Sequence, residues 1–248
     1  MLKDRVSRRF SKASSSYGKE AFVQRQMGAH LRALLPEGNF QEILELGCGS
    51  GNFSKLLVKH YPHANITLND LSQQMLLICK DEFGSQVHYL QGDAQELNFS
   101  TRYDLITGCA SFQWFENLEE SLKRLKAYLK PQGILAFAIF SPEHFAEIKA
   151  ITGLSLNYPT SAQLAKMLTC QGFDFKLESE LIVTHFKSAL EMLRHFKATG
   201  IAALSSQMWT RGKLLSFIEA YESAYSDNEG VRLTWAPLYA ICTKKADV

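Results

Sequence analysis

Between residues 42 and 140 the chain alternates short apolar runs with amphipathic stretches. The runs at 42–46, 65–69, 87–91, 103–107 and 133–140 have strand length and lie between turn signals, so they predict strands. Helical spacing fills the gaps. Phe53, Leu56, Leu57 and His60 share a face in 52–60, and Pro62 stops that helix. Ser72 is placed to cap a helix bearing Met75, Leu76 and Cys79. Leu118, Leu122, Leu125 and Leu129 mark another, which Pro131 and Gly133 close. Strands separated by helices imply a parallel sheet covered on both faces. That is a doubly wound α/β fold, with its ligand crevice at the carboxyl ends of the strands.

The flanks differ. Residues 3–34 predict a helix with Phe10, Ala13, Tyr17, Ala21 and Gln24 on one face, and 14–18 are a candidate break. Beyond 140 the pattern predicts a helix at 161–169, a strand at 173–186, helices at 188–203 and 211–225, and a strand at 231–243. The two helices before the last strand have the look of an insertion, and a helical insertion near a crevice can act as a lid. No linker or repeat divides the chain, so one domain over 1–248 is expected.

At 248 residues a single domain buries about 70–75% of its unfolded surface and needs no disulfide or metal to hold a core. A composition of 46% hydrophobic and 21% charged residues excludes a mostly disordered chain. The five cysteines are scattered without a CxxC pair, which suggests neither a zinc site nor a redox dithiol. The seven histidines show no ligand-type pairing, so no metal is expected. The start lacks the apolar core of a signal peptide, and the longest apolar run, 134–140, is far short of the ~20 residues of a membrane helix. The cytoplasm is the expected location.

The net charge of +2 is too small to argue for nucleic acid. Its distribution says more: residues 1–32 carry +6, and the rest carry −4. Such asymmetry fits either an anionic partner or a solvated amphipathic helix.

The strongest chemical signal is Gly47-x-Gly49-x-Gly51 between a strand and a helix. Glycines allow a tight turn and close approach to a ligand, and the helix N-terminus behind them favours polar or anionic groups. Alone, the loop fits a structural turn, a dinucleotide site or a nucleoside site. The dinucleotide pattern needs a glycine where Asn52 stands. Glu45, two residues before the loop, repels a pyrophosphate and suits a cationic ammonium or sulfonium. Asp70, at the second strand end, can accept both ribose hydroxyls. Asp93, at the third, can accept an adenine amine. Each acid alone is commonly a turn residue or cap; three at successive strand ends are hard to explain that way.

Glu45-Leu46-Gly47-Cys48-Gly49-Ser50-Gly51 resembles the first motif of class I S-adenosylmethionine-dependent methyltransferases. Asp70-Leu71-Ser72-Gln73-Gln74-Met75-Leu76 resembles their ribose segment, and Gly92-Asp93-Ala94 the adenine segment. Tyr103-Asp104-Leu105-Ile106 and Leu129-Lys130-Pro131-Gln132-Gly133 resemble later strand motifs. A narrower resemblance covers nearly the whole chain. Arg8-Arg9-Phe10-Ser11-Lys12-Ala13 with Tyr17 and Gln24, Ser111-Phe112-Gln113-Trp114, and Phe196-Lys197-Ala198-Thr199-Gly200 are similar to the malonyl-acyl-carrier-protein O-methyltransferases of biotin synthesis. Residues 141–160 carry no signature of that family.

The resemblance implies a Rossmann-like methyltransferase sheet with an N-terminal helical cap at 1–34 and a helical lid at 187–226. It implies cofactor contacts at Glu45, Gly47, Cys48, Gly49, Gly51, Asp70, Leu71, Met75, Asp93, Ala94 and Ala110, with S-adenosylmethionine leaving as S-adenosylhomocysteine. It implies acceptor contacts at Tyr17, Gln113, Trp114 and Lys197, each of which could instead be packing or a solvated charge. The implied partner is an acyl carrier protein bearing a malonyl thioester, with neither nucleic acid nor membrane. Carrier proteins are acidic, so the basic N-terminal segment fits docking, and Arg194, Lys197, Arg211 and Lys213 would extend that surface. A carboxylate acceptor is already a nucleophile, so no catalytic base is expected. The competing readings are another small-molecule methyltransferase, acting on a free carboxylic acid or a quinone precursor, and a cofactor-binding protein without transferase activity. RNA methylation is disfavoured by the lack of a basic, aromatic-rich patch.

Overall fold

The computed structural model describes residues 21–199 and 210–245. Strands β1 (Glu42–Leu46), β2 (Asn65–Asp70), β3 (His88–Gln91), β4 (Tyr103–Cys109), β5 (Leu129–Phe140), β6 (Phe173–Ser179) and β10 (Pro237–Lys244) form one sheet in the order β3-β2-β1-β4-β5-β10-β6. The first five are parallel, and β10 runs antiparallel to both β5 and β6. Strand order reverses at β1 and β4, so the carboxyl ends of those strands open the crevice of a doubly wound sheet.

The pleat divides β5 between two cores. Ile134, Ala136, Ala138 and Phe140 join one apolar cluster, and Leu135, Phe137 and Ile139 join the other. Helix α1 (Phe22–Leu34) lies on the first face and packs on α2 (Asn52–His60); α3 (Gln73–Phe83) shares that face. Helices α4 (Leu118–Ala127) and α6 (Ser161–Cys170) cover the second. Local signals set their ends. The Ser72 hydroxyl accepts from the Met75 amide at 3.4 Å. Thr160 and Gln163 form a reciprocal capping box before α6. Glu119 and Glu120 sit in the first turn of α4 and Arg124 and Lys126 in its last, as the helix dipole favours.

Several boundaries depart from the sequence pattern. The core face of α1 is Val23, Met27, Gly28 and Leu31; Ala21, fully buried just before the helix, lies two turns from Gly28, and Gln24 two turns from Leu31, on that same side. Residues 3–20 and 200–203 of the expected helices lie outside the described residues. Strand β5 begins at Leu129, so Pro131 and Gly133 sit inside it; the ladder with β4 shifts register there and Gln132 takes φ +62°. The single strands expected at 173–186 and 231–243 each divide. The first gives β6 and β7 (Ile182–Phe186), and the second gives β9 (Gly230–Trp235) and β10. With β8 (Ser226–Asp227), β7 and β9 make a separate three-stranded antiparallel sheet. The chain thus passes between sheets at residues 180–181 and again at Ala236. Helix α5 (Ala146–Thr152) was not foreseen, whereas α7 (Ala189–Ala198) and α8 (Arg211–Tyr225) stand between β7 and β8 as two expected helices.

Trp235 joins the two sheets. It is fully buried, its indole donates to Thr184 Oγ1 at 2.9 Å, and Phe140, His144 and Phe145 surround it.

Phe137 stacks on Phe112 with centroids 4.5 Å apart and planes 9° apart, both buried. Replacing Phe137 with Ala should cost about 3–5 kcal/mol, read as a lowered urea midpoint. Leu77→Ala, on an exposed face of α3, should move it little.

Candidate active site

A cleft opens at the carboxyl ends of β1, β2, β3 and β4, roofed in part by the start of α1. Its floor is the loop after β1. Gly47, Gly49 and Gly51 all take positive φ, at +70°, +53° and +81°. Side chains there are excluded by contact as well as by strain: a Cβ on Gly47 would lie 2.5 Å from Ser111 Cβ, and one on Gly51 2.8 Å from the Phe83 ring. The loop is pinned from below. The Asn69 carbonyl accepts from both the Gly47 and Cys48 amides, at 2.8 and 2.9 Å. The Asn69 side chain donates to the carbonyls of Leu90 and Gly92, tying in the end of β3. Across the cleft, Ser111 Oγ donates to the Leu46 carbonyl at 2.7 Å and closes the gap between β1 and β4. Ala110 holds φ +55°, a strained value for a residue with a Cβ, on the cleft wall.

Two carboxylates meet here, Glu45 buried and Asp70 half-buried. Asp70 accepts from the Gly49 amide at 2.9 Å and the Ser72 amide at 2.7 Å. Burial pushes its carboxyl above the ordinary range, against those hydrogen bonds. Glu45 is 1% exposed and accepts from Ser54 Oγ at 2.6 Å. Burial raises it to about 8, with the Asp70 charge adding to the effect. A cation entering the cleft would favour the ionised form of both groups.

The cleft brings together Glu45, Gly47, Cys48, Gly49, Asp70, Leu71, Met75, Asp93, Ala94, Ala110 and Trp114. Gly51 shapes the loop from behind without lining it. Asp93 closes a turn by accepting from the Gln95 amide at 2.9 Å. Gln113 does not line the cleft; its Nε2 donates to the Ala110 carbonyl at 2.7 Å. Lys197 is exposed near the end of α7 and is not among the lining residues. Tyr17 lies outside the described residues.

The structure adds residues that the sequence did not place in the site: Gln24, Ser50, Asn52, Asn69, Gln95 and Cys109 also line the cleft. Gln24 Oε1, Ser50 Oγ and Asn52 Nδ2 are buried there with no partner. Unmet donors and acceptors in a cleft fit a ligand that carries both an ammonium and a carboxylate. The donor set therefore suits the amino-acid end of a sulfonium nucleoside, with Asp70 and Asp93 at the strand ends for its nucleoside end. Among the described residues no helix is long and apolar enough to cross a membrane.

Residues 43–133 match a methyltransferase domain family. The chain is 35% identical to a malonyl-acyl-carrier-protein O-methyltransferase of Bacteroides fragilis, over 97% of this chain and 50% of that protein. It is also 35% identical to the protein of that name from Bacteroides thetaiotaomicron, over 99% of both chains. The chain thus spans half the length of the first relative and nearly all of the second. Among solved structures, an S-adenosylmethionine-dependent methyltransferase of Thermotoga maritima superposes with TM-score 0.62 at 17% identity, over 99% of this chain and 100% of that one.

The raised pKa of Glu45 predicts a pH effect. An exposed carboxyl ionises near 4.5, whereas Glu45 in the folded protein holds its proton to about 8. The stabilisation this gives is full below the unfolded value and is lost as pH rises towards 8. Glu45→Gln should therefore flatten the fall in stability between pH 5 and 8, measured by urea unfolding across that window.

Proposed function

The chain belongs to the malonyl-acyl-carrier-protein O-methyltransferase family, and from that premise we propose that it converts the free carboxylate of a malonyl thioester on acyl carrier protein to its methyl ester, early in biotin synthesis. The relatives' names and the fit of the cleft to a sulfonium amino-acid nucleoside support this reading. S-Adenosylmethionine supplies an electrophilic methyl group when bound.

Every other step belongs to the chain. Asp70 would accept hydrogen bonds from the ribose hydroxyls, and Asp93 would serve the adenine end. Asn52 Nδ2 and Ser50 Oγ would donate to the amino-acid carboxylate, and Gln24 Oε1 would accept from the ammonium. Glu45, ionised in the presence of a cation, would supply negative charge. The acceptor carboxylate is already a nucleophile, so the chain needs to orient it in line and keep water away. Holding two reactants in attack geometry can supply up to ~7–11 kcal/mol of the barrier. Trp114 borders the acceptor end, with Gln113 beside it, fixed through Ala110. Tyr17 and Lys197 remain candidates for holding the malonyl carboxylate, with α7 and α8 as the lid that would bring Lys197 inward.

The partner would be an acidic carrier protein in the cytoplasm. Arg194, Lys197, Arg211 and Lys213 are exposed on α7 and α8 and, with the basic residues of the N-terminal sequence, are the charges that would meet it.

Incubation with S-adenosylmethionine and malonyl-acyl carrier protein should add one methyl group by intact mass, faster than with malonyl-coenzyme A or free malonate. The carrier-bound rate should fall with added salt more steeply than the coenzyme A rate. Methyl transfer to free acids alone would favour a general small-molecule methyltransferase, and cofactor binding without turnover would favour a binding protein. Asp70→Asn should weaken cofactor binding by about 1.5–3 kcal/mol, roughly tenfold to a hundredfold, by calorimetry.

A further inference from the structure

The spacing of cysteines along the chain gave no hint of a thiol pair, yet the fold makes one. Cys48 lies in the glycine loop and Cys79 on α3, 31 positions later, and their sulfurs are 3.8 Å apart. Cys48 lines the cofactor cleft, and Cys79 is buried behind it. Cys79 Sγ donates to the Gly49 carbonyl at 3.3 Å, while the Gly49 amide donates to Asp70 at 2.9 Å. One peptide segment of the loop is therefore held on one side by the carboxylate proposed to bind ribose and on the other by a thiol.

We propose that Cys48 and Cys79 form a peroxide-sensitive dithiol that closes to a disulfide when the cleft is empty and thereby weakens cofactor binding. The consequence for the cofactor rests on the reading above; the disulfide itself does not. The chemistry balances with hydrogen peroxide as the two-electron oxidant. The Cys48 sulfur attacks one peroxide oxygen, the O–O bond breaks, and the other oxygen leaves as water. The resulting sulfenic acid is attacked by the Cys79 sulfur; the S–S bond forms, the S–O bond breaks, and a second water leaves. Both thiols are oxidised and one peroxide is reduced to two waters.

Geometry gives the effect on the cleft. A disulfide needs sulfurs about 2.0 Å apart, so the loop or α3 must close roughly 1.8 Å. Both thiol protons are consumed, so the Gly49 carbonyl loses its donor and the loop shifts relative to Asp70. Oxidant reaches Cys48 through the cleft, so an occupied cleft protects it. The groups facing Cys48 are Cys79 from α3, Asp70 from β2 and Glu45 from β1. The hydrogen bond with Cys79, burial and those carboxylates hold the Cys48 thiol well above its ordinary range. Bridge formation is therefore slow at neutral pH and quickens as pH rises.

The test treats the whole protein with hydrogen peroxide, with and without S-adenosylhomocysteine, then maps peptides by mass and measures S-adenosylhomocysteine affinity by calorimetry. The expected result is a peptide joining Cys48 to Cys79, lighter by two hydrogens. Affinity should fall about tenfold or more, and dithiothreitol should restore it. Prior S-adenosylhomocysteine should slow the bridge. Cys48→Ser, which removes the sulfur that peroxide attacks, should keep after peroxide whatever affinity it had before. The proposal is overturned if the exposed Cys170 oxidises while Cys48 and Cys79 stay unbridged, or if the bridge forms and affinity holds. Affinity of the untreated protein is measured first; its absence would fault the cofactor reading, and the peptide map would still decide whether the dithiol closes.

Discussion

The Asn69 carbonyl accepts from the amides of both Gly47 and Cys48, and its side-chain amide donates to the carbonyls of Leu90 and Gly92. One buried residue at the end of β2 thus fixes the turn after β1 and the exit of β3. The three acids that give the cleft its character sit on those strand ends or beside them. Without this bracket the glycine loop would have no fixed height above the sheet, and the Gly49 amide would not meet Asp70. Unpaired backbone groups at this depth are costly, so the same bonds that shape the cleft also satisfy buried peptides.

The cleft gathers carboxyl groups whose ionised forms a cation would favour. Glu45 and Asp70 are both held above the ordinary carboxylate range by burial. Such a site is poorly matched to a pyrophosphate and well matched to a cation. The same field opposes a thiolate at Cys48, so the carboxylates that suit the site to a sulfonium also make the neighbouring thiol slow to react.

Much of the sheet was legible in the sequence because buried strands of this class are short apolar runs set off by capped helices. The glycine loop and the acids were legible because their chemistry depends on residue type and local spacing. The later strands were misjudged for a physical reason. Apolar alternation continues through residues 180–181 and Ala236, while the backbone leaves one sheet for another, and period-two patterning carries no record of which sheet a strand joins. Gln24, Ser50 and Asn52 have no signature as ligands; their unmet polar atoms exist only because α1 and the glycine loop meet. Cys48 and Cys79 are adjacent for the same reason. Lys197, named from a resemblance, stands on the outer surface of α7, since local sequence does not fix which way a helix face turns.

The placement of β10 has a consequence for the order of assembly. Among the described residues β6 has one neighbour within the larger sheet, and that neighbour is β10. As the chain leaves the ribosome, residues 173–179 emerge well before residues 237–244. Until the later strand arrives, β6 has nothing to pair with and the outer edge of β5 stays open. The segment from 21 to 115, which supplies the residues lining the cleft, is by then already synthesised. The ligand-binding half of the molecule is available first, and the sheet is closed last, by a strand slipping in between two that are waiting for it.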